Sequence, residues 1–518
     1  MNGRKRLSVG ISHRRTVPAE NGFSALEADR LAAHRGRCIP GGWKMFTAAY
    51  YRALKGGLKA VAAAAAALWL LLALGGPSPA EAQVRLGWSI PHQLSTAGRK
   101  GSEASLVADP AGYVHVFWTE TLPDERSLLR YARFDGQTWS LPIDIRVSEP
   151  FTPIKTTAPA MGPDGVLHLA WVEGNNGPAY YSQAPAGLAL RSQEWRRPTR
   201  IQMPADNVRL LVDASGSLHL LTTVASTSPL HPGVYYLRSA DQGITWSPFV
   251  WLDPDIPAGF TPASAQFALD KQGGLHAVWF YISFLQGEGD WLRYTNSLDG
   301  GQGWSRPLTL AKESEGAADM NTFARPNLAV SGDSVHVVWA AGFLLYRNHR
   351  YSTDRGANWT APARIFGELN GQAGDSLTVD GLGRVHFFGQ IRFPMAIYHV
   401  IWDGTRWSPP GLIYFIRDAT DSDQGSEGEA SATSEEAIPE GIVAAHNTHA
   451  AVRLGYQLVL TFTDPPPAAE RRLVVTQIGL DDLPAAAPAP AATAGPETEA
   501  SPAAVTPVTP PSPAAGTA

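Results

Sequence analysis

Six histidines recur at one place in a repeated phrase, Asp-x-x-Gly-x-x-His or a shortened form of it. They are His115, His168, His219, His276, His336 and His386. Two full copies read Asp109-Pro-Ala-Gly112-Tyr-Val-His115 and Asp270-Lys-Gln-Gly273-Gly-Leu-His276. Histidines beside carboxylates raise two chemistries, metal ligation and general acid–base work. The copies recur roughly once per 50 residues, so each histidine belongs to its own structural unit. Ligands of one ion must converge within about 4 Å, whereas equivalent positions in successive units stay far apart. The histidines are therefore expected to be packed side chains with a ring nitrogen hydrogen-bonded to backbone, and neither a metal nor a cofactor is expected.

Ligand chemistry must then come from polar residues that do not repeat. The ligand-face candidates are Glu120 and Arg126 in Glu-Thr-Leu-Pro-Asp-Glu-Arg, Glu173 and Asn175 in Glu-Gly-Asn-Asn, and Arg325 and Arg392 further on. Lys100, Glu103, Asn176, Glu288, Asp290, Asp319, Asn321 and Gln390 accompany them, with Phe280, Tyr281, Phe284, Trp291 and Phe393 close in sequence. Carboxylates, amides and arginines beside aromatic rings suit a sugar or an anionic ligand. No motif among them assigns a nucleophile or an acid–base pair, so the catalytic residues stay unknown.

The elements that position these residues are set by tryptophan. The phrase Trp-(Ser/Thr/Arg)-x-Pro begins at Trp88, Trp139, Trp195, Trp246, Trp304, Trp359 and Trp407, with Pro248 one place early in the Trp246 copy. A spacing of roughly 50 residues suits the blades of a β-propeller and exceeds that of helical solenoids. Before three of these tryptophans stands a Ser-x-Asp-x-Gly turn: Ser239, Asp241, Gly243 and Trp246; Ser297, Asp299, Gly301 and Trp304; Ser352, Asp354, Gly356 and Trp359. In such a turn Asp accepts backbone N–H bonds, Gly supplies positive φ, and Trp buries a large apolar ring.

The order of signals within a repeat is a hairpin around the Asp-Gly-His phrase (strands A and B), an aromatic strand C, the turn, and a strand D at Trp-x-x-Pro. The array opens with an unmatched strand D at Trp88 and ends with Ala450–Leu480, which reads as strands A to C. In that last unit Leu458 replaces the histidine. Joining the two completes a blade and removes the exposed edges of an open array. An all-β propeller of four-stranded antiparallel blades is predicted. Seven blades are expected, with six as the alternative, and the N-terminal strand closes the last one.

The Ser-x-Asp-x-Gly-x-x-Trp turns resemble the Asp-boxes of sialidase-like propellers over about residues 84–480. That resemblance implies turns on the edge away from the active site. It also implies an arginine triad for a substrate carboxylate, a Tyr nucleophile assisted by Glu, and an Asp acid/base. The family's first arginine stands in Arg-Ile-Pro, but here the region reads Gly87-Trp88-Ser-Ile90-Pro91, and Phe323-Ala-Arg325-Pro326 is only an echo. Arg209, Arg325 and Arg392 could form a triad without any motif assigning them. The expected function is an exported, sialidase-like propeller that binds a glycan or another extracellular or cell-surface ligand on its loop face. The alternatives are an exo-sialidase or other glycoside hydrolase, and a protein-interaction scaffold.

Outside the array the 518-residue chain reads differently. Residues 1–82 form an N-terminal extension with an export signal: Lys55 and Lys59, the apolar run Ala60–Leu74, then Ala80-Glu81-Ala82 as a cleavage pattern before Gln83. The run falls short of the roughly 20 residues that span a bilayer. A secreted or extracytoplasmic protein follows, with an N-terminal anchor if the signal is uncleaved. Translation from Met45 would give a signal of ordinary length. Residues 83–481 are the propeller, interrupted by an acidic insertion at 418–440 that reads as a solvated loop without calcium-loop spacing. Residues 482–518, rich in Pro, Ala and Thr, cannot bury enough apolar surface to order themselves. The only cysteine, Cys38, lies upstream of the cleavage pattern. A net charge of -5 argues against a nucleic-acid partner.

Overall fold

The computed structural model describes residues 87–225, 230–256, 259–283, 291–312, 324–342, 344–371, 374–391, 396–415, 448–464 and 472–483, all within the unit Gln83–Ala518. The expectations for the extension 1–82, the insertion 418–440 and the tail beyond Leu483 lie outside these residues. The described chain forms seven four-stranded antiparallel sheets. Blades 1 to 6 are continuous in sequence: 101–147, 154–205, 207–251, 260–312, 324–364 and 376–415. The seventh takes three strands from residues 449–479 and its outermost strand from His92–Gln93. The seven-blade reading holds and the six-blade alternative does not.

Closure uses more than the two paired residues. His92 and Gln93 face Val475 and Val474 on the strand Arg472–Gly479. The Ser89 N–H donates to the Gln477 carbonyl at 2.8 Å and the Leu94 N–H to the Leu473 carbonyl at 2.8 Å. Ser89 Oγ and Ser95 Oγ accept from the N–H groups of Gln477 and Leu473, pinning both ends of the strand. Trp88 packs into a cluster with Phe388, Ile397, Leu458 and Leu460, so the closing segment also buries apolar area against blade 6.

Each phrase tryptophan works between blades or on its own turn. Trp195, Trp246, Trp304 and Trp359 meet Tyr131, Tyr181, Tyr236 and Tyr294 of the preceding blade edge-on. Trp139 instead stacks on Phe134 of its own blade. The outermost strands start after the proline in most copies (Ile143, Thr199, Leu308), so the phrase itself belongs to the turn. That suits proline, which cannot donate to a ladder.

The glycines of the Ser-x-Asp-x-Gly turns serve this contact. Gly301 has φ +87°, and a Cβ there would lie 1.9 Å from the Tyr236 hydroxyl; Gly356 stands the same way against Tyr294. In the turn before it, Ser297 Oγ accepts from the Gly301 N–H at 2.8 Å, and Asp299 accepts from the Gly303 N–H at 2.9 Å. The same bonds in the other two copies hold Asp241 and Asp354 at pKa values of about 2, with hydrogen bonds from Thr245 and Asn358 as the main causes.

Candidate functional site

The innermost strands of all seven blades surround one cavity of about 240 Å³. Its wall is polar because the residues facing inward are hydroxyls and amides: Thr156, Asn207, Ser264, Asn327, Ser376 and Thr448, one from each of blades 2 to 7. Arg209 and Asp375 add opposite charges. In blades 1, 2, 4 and 5 the innermost strand carries a β-bulge, between Ser102 and Ser105, Lys155 and Ala158, Ala263 and Gln266, and Ala324 and Asn327. A bulge re-aims side chains and often borders a functional site.

The candidates from sequence divide into distinct environments. Glu120 is the last residue but one of the second strand of blade 1, is 1% exposed, and is surrounded by donors. Its carboxylate accepts from the Trp118 indole at 2.9 Å, the Thr96 N–H at 2.9 Å and Arg130 at 3.2 Å. Burial works to raise its pKa, but these bonds outweigh it and the carboxyl titrates below its ordinary value. Glu173 repeats the design one blade on. It accepts from the Trp171 indole at 3.0 Å and from Arg146 through two bonds of 2.8 and 3.1 Å.

Both glutamates are committed to holding strands in place. Arg126 is half-exposed on a loop and pairs with Asp124 of the same loop at 2.8 Å. Asn175 is exposed and accepts from Lys155 Nζ. Arg325 falls within the bulge of blade 5. Arg392 lies outside the described residues.

Other arginines at this end are spent in the same way. Arg293 binds Asp253 with bonds of 3.0 and 3.2 Å. Arg347, fully buried, binds Asp375 with two bonds of 2.9 Å and three carbonyls besides, those of Leu345, Gly371 and Gln390. Asp375 also accepts from the Gln390 N–H at 3.0 Å. A carboxylate so engaged is a poor general base, because both oxygens are already bonded to charged or backbone donors.

The recurrent histidines are buried, as their periodicity predicts, but their partners are side chains rather than backbone. In blades 1, 3 and 4 an Asp–His–Tyr chain runs through each sheet. His115 lies between Asp109 (3.1 Å) and Tyr131 (2.7 Å), His219 between Asp213 (3.1 Å) and Tyr236 (2.8 Å), and His276 between Asp270 (3.2 Å) and Tyr294 (2.7 Å). Burial holds all three imidazoles neutral by lowering their pKa. With an ionised Asp on one side, Nε2–H donates to the carboxylate and the Tyr hydroxyl donates to Nδ1. Blades 5 and 6 replace Tyr with a second histidine: His336 meets His349 at 3.1 Å and His386 meets His399 at 3.0 Å.

The signal for these chains was present in sequence, since the Asp stands six residues before the His in the full copies. The Tyr could not be paired with them without the strand register. Among the described residues no group of three or more His, Cys, Asp or Glu is placed to hold a metal ion, and no helix is long and apolar enough to cross a membrane.

No protein-family model matches the chain, and no curated protein matches it. Solved structures do. A protein of unknown function from Dyadobacter fermentans is similar at 15% identity, over 75% of this chain and 99% of that one, with a TM-score of 0.45. The polysaccharide lyase Uly1 is similar at 11% identity over 73% and 90%, with a TM-score of 0.49. A leech intramolecular trans-sialidase is similar at 11% identity over 76% and 71%, with a TM-score of 0.42. Propellers that act on glycans, a sialidase among them, are thus among the solved structures that this chain resembles remotely.

Proposed function

We propose that this is an exported glycan-binding propeller whose ligand sits in the central cavity and against the loops around it. The observation that supports this reading is the cavity wall, to which blades 2 to 7 each contribute a neutral hydroxyl or amide. A concave site with placed polar groups that can donate and accept suits the hydroxyls of a sugar. The acidic and basic residues that could otherwise serve catalysis, Glu120, Glu173, Arg293, Arg347 and Asp375, are held in internal pairs. Binding without turnover is therefore the reading adopted. A glycan array probed with the full chain, paired with chromatography of sugars released from the same glycans, tests it. Retention of a defined glycan class with no released product is expected. Released sugar would make the protein a hydrolase or lyase, and no retained glycan would remove the reading.

A further inference from the structure

We infer that the seam between blades 7 and 1 is a docking groove for the proline-rich start of the tail, residues 484–490 of the same chain. This does not rest on the glycan reading above.

Six of the seven seams are filled by one ring contact. On the third strand of each blade, one residue stands opposite the position two beyond the buried histidine. In blades 1 to 6 it is Tyr131, Tyr181, Tyr236, Tyr294, His349 and His399. The phrase tryptophan of the next blade meets it: Trp195, Trp246, Trp304, Trp359, Trp407 and Trp88 in turn, at centroid distances of 4.8 to 6.1 Å. In blade 7 the same position is Thr476, opposite Leu460. Trp139 therefore finds no ring to meet and turns back onto Phe134 of its own blade, 4.9 Å away.

The missing ring leaves a groove of about 390 Å³, whose lining includes Ile90, His92, Phe134, Gln137, Trp139 and Thr476. Ile90 is 87% exposed at its edge. One exposed isoleucine is ordinary, but beside two aromatic rings in a groove it forms an apolar patch that suits a partner.

The place where the described chain stops selects the occupant. A Cβ on Gly87 would lie 3.8 Å from the Asp482 Cβ, and Leu483 packs into the cluster that holds Trp88. The chain thus leaves the ring beside Gly87, three residues before Ile90, which span at most about 11 Å. After Leu483 it reads Pro484-Ala-Ala-Ala-Pro488-Ala-Pro490. In the polyproline II helix that such a sequence favours, each residue advances about 3.1 Å, so four residues reach the groove and bring Pro488 and Pro490 over it. Proline-rich segments dock on aromatic-lined grooves at low entropic cost, because their helix is already formed. The helix has no internal hydrogen bonds, and the Gln137 side-chain amide can donate to one of its carbonyls. Docking covers Ile90 and braces the two-residue strand that closes the ring.

Elastase, which cuts after alanine, tests this on the full chain, with mass spectrometry of the products. Each rate is divided by that of the same bond in a synthetic peptide of residues 483–503. In the wild type, cuts after Ala485 and Ala486 are expected to be about tenfold slower than cuts after Ala491 and Ala500. That ratio follows when tethering at about 1 mM meets an affinity of about 0.1 mM. Thr476→Tyr, which puts the absent ring into the groove, should abolish the difference. Ile90→Ala should reduce it to about threefold, and its exposure keeps the test usable if Thr476→Tyr melts early. Phe151→Ala, on the exposed loop between blades 1 and 2, should leave it at tenfold. Equal relative rates in the wild type overturn the inference. So does protection that the groove variants leave intact, which would seat the segment elsewhere. Protection that grows with protein concentration overturns it in favour of the tail of a second copy.

Discussion

At the residue scale, the turn glycines separate two demands that sequence alone merges. Gly273 and Gly301 both have positive φ, +85° and +87°, but only Gly301 has a neighbour in the way; around Gly273 nothing lies within 4 Å. Gly273→Ala should therefore cost about 1 kcal/mol, the backbone penalty alone. Gly301→Ala adds a clash with Tyr236 and should cost about 2–4 kcal/mol once overpacking is included. Denaturant melts of the two variants check this, and equal losses would mean that the Tyr236 contact yields freely. The turn was legible from its letters, because Asp and Gly act on their own backbone. Its contact with the blade behind was not, because nothing in the Ser-x-Asp-x-Gly phrase names a tyrosine some 60 residues earlier.

At the element scale, the arginine–carboxylate pairs join parts that the repeat leaves separate. Arg347 on the third strand of blade 5 holds Asp375 at the entrance to blade 6, and Arg146 on blade 1 holds Glu173 on blade 2. Removing one partner of a buried pair strands the other charge, which typically costs about 3–5 kcal/mol. Arg347→Ala should fall in that range, whereas Arg306→Ala, whose pair with Asp255 is mostly exposed, should melt like the wild type. A similar melting temperature for both would show that water reaches Asp375 when the arginine is gone. These pairs also explain why the site was only partly legible. Glu120 and Glu173 have the residue type of ligand groups and stand at the ends of strands, where ligand groups often stand. Only the indole two residues before each, and an arginine from elsewhere, show them to be structural. The cavity wall gave the opposite problem. Thr156, Ser264 and Asn207 look ordinary in sequence, and it is register that brings them around one space.

At the scale of the whole molecule, the buried imidazoles make stability a function of acidity. Eight histidines (115, 168, 219, 276, 336, 349, 386 and 399) have pKa values lowered chiefly by burial. His168 and His336 fall to about 4 and His349 to about 3, from an ordinary value of 6.5. Above pH 6.5 they are neutral folded or unfolded and stability does not depend on them. Between 6.5 and about 4 the unfolded chain binds protons that the folded chain refuses. Stability then falls with pH by about 1.4 kcal/mol per unit for each histidine that stays neutral. Below that range the carboxylates take over, Asp380 with a pKa of about 2 among them. Melting temperature should be level above pH 7 and drop steeply from 6.5 to 4. A flat profile across that interval would show the histidines to be protonated in place. The ring and its closure were legible in sequence, with six blades left as the alternative to seven, because tryptophan spacing and strand order are properties of the chain and need no contact to be known.

The closing strand carries one more consequence. Thr476 donates to the Ser89 carbonyl across 387 positions of sequence, so the earliest part of the ring to be made is matched only by the last. Blades 1 to 6 can each form from contiguous chain as it emerges. The seventh waits, with Arg472–Gly479 presenting an unpaired edge until His92–Gln93 arrives. A chain cut short before residue 472 keeps six blades and loses the partner of its own first strand, leaving open edges that recruit other chains. The seam thus acts as a completeness check, sealing only a molecule that was synthesised through its final strand.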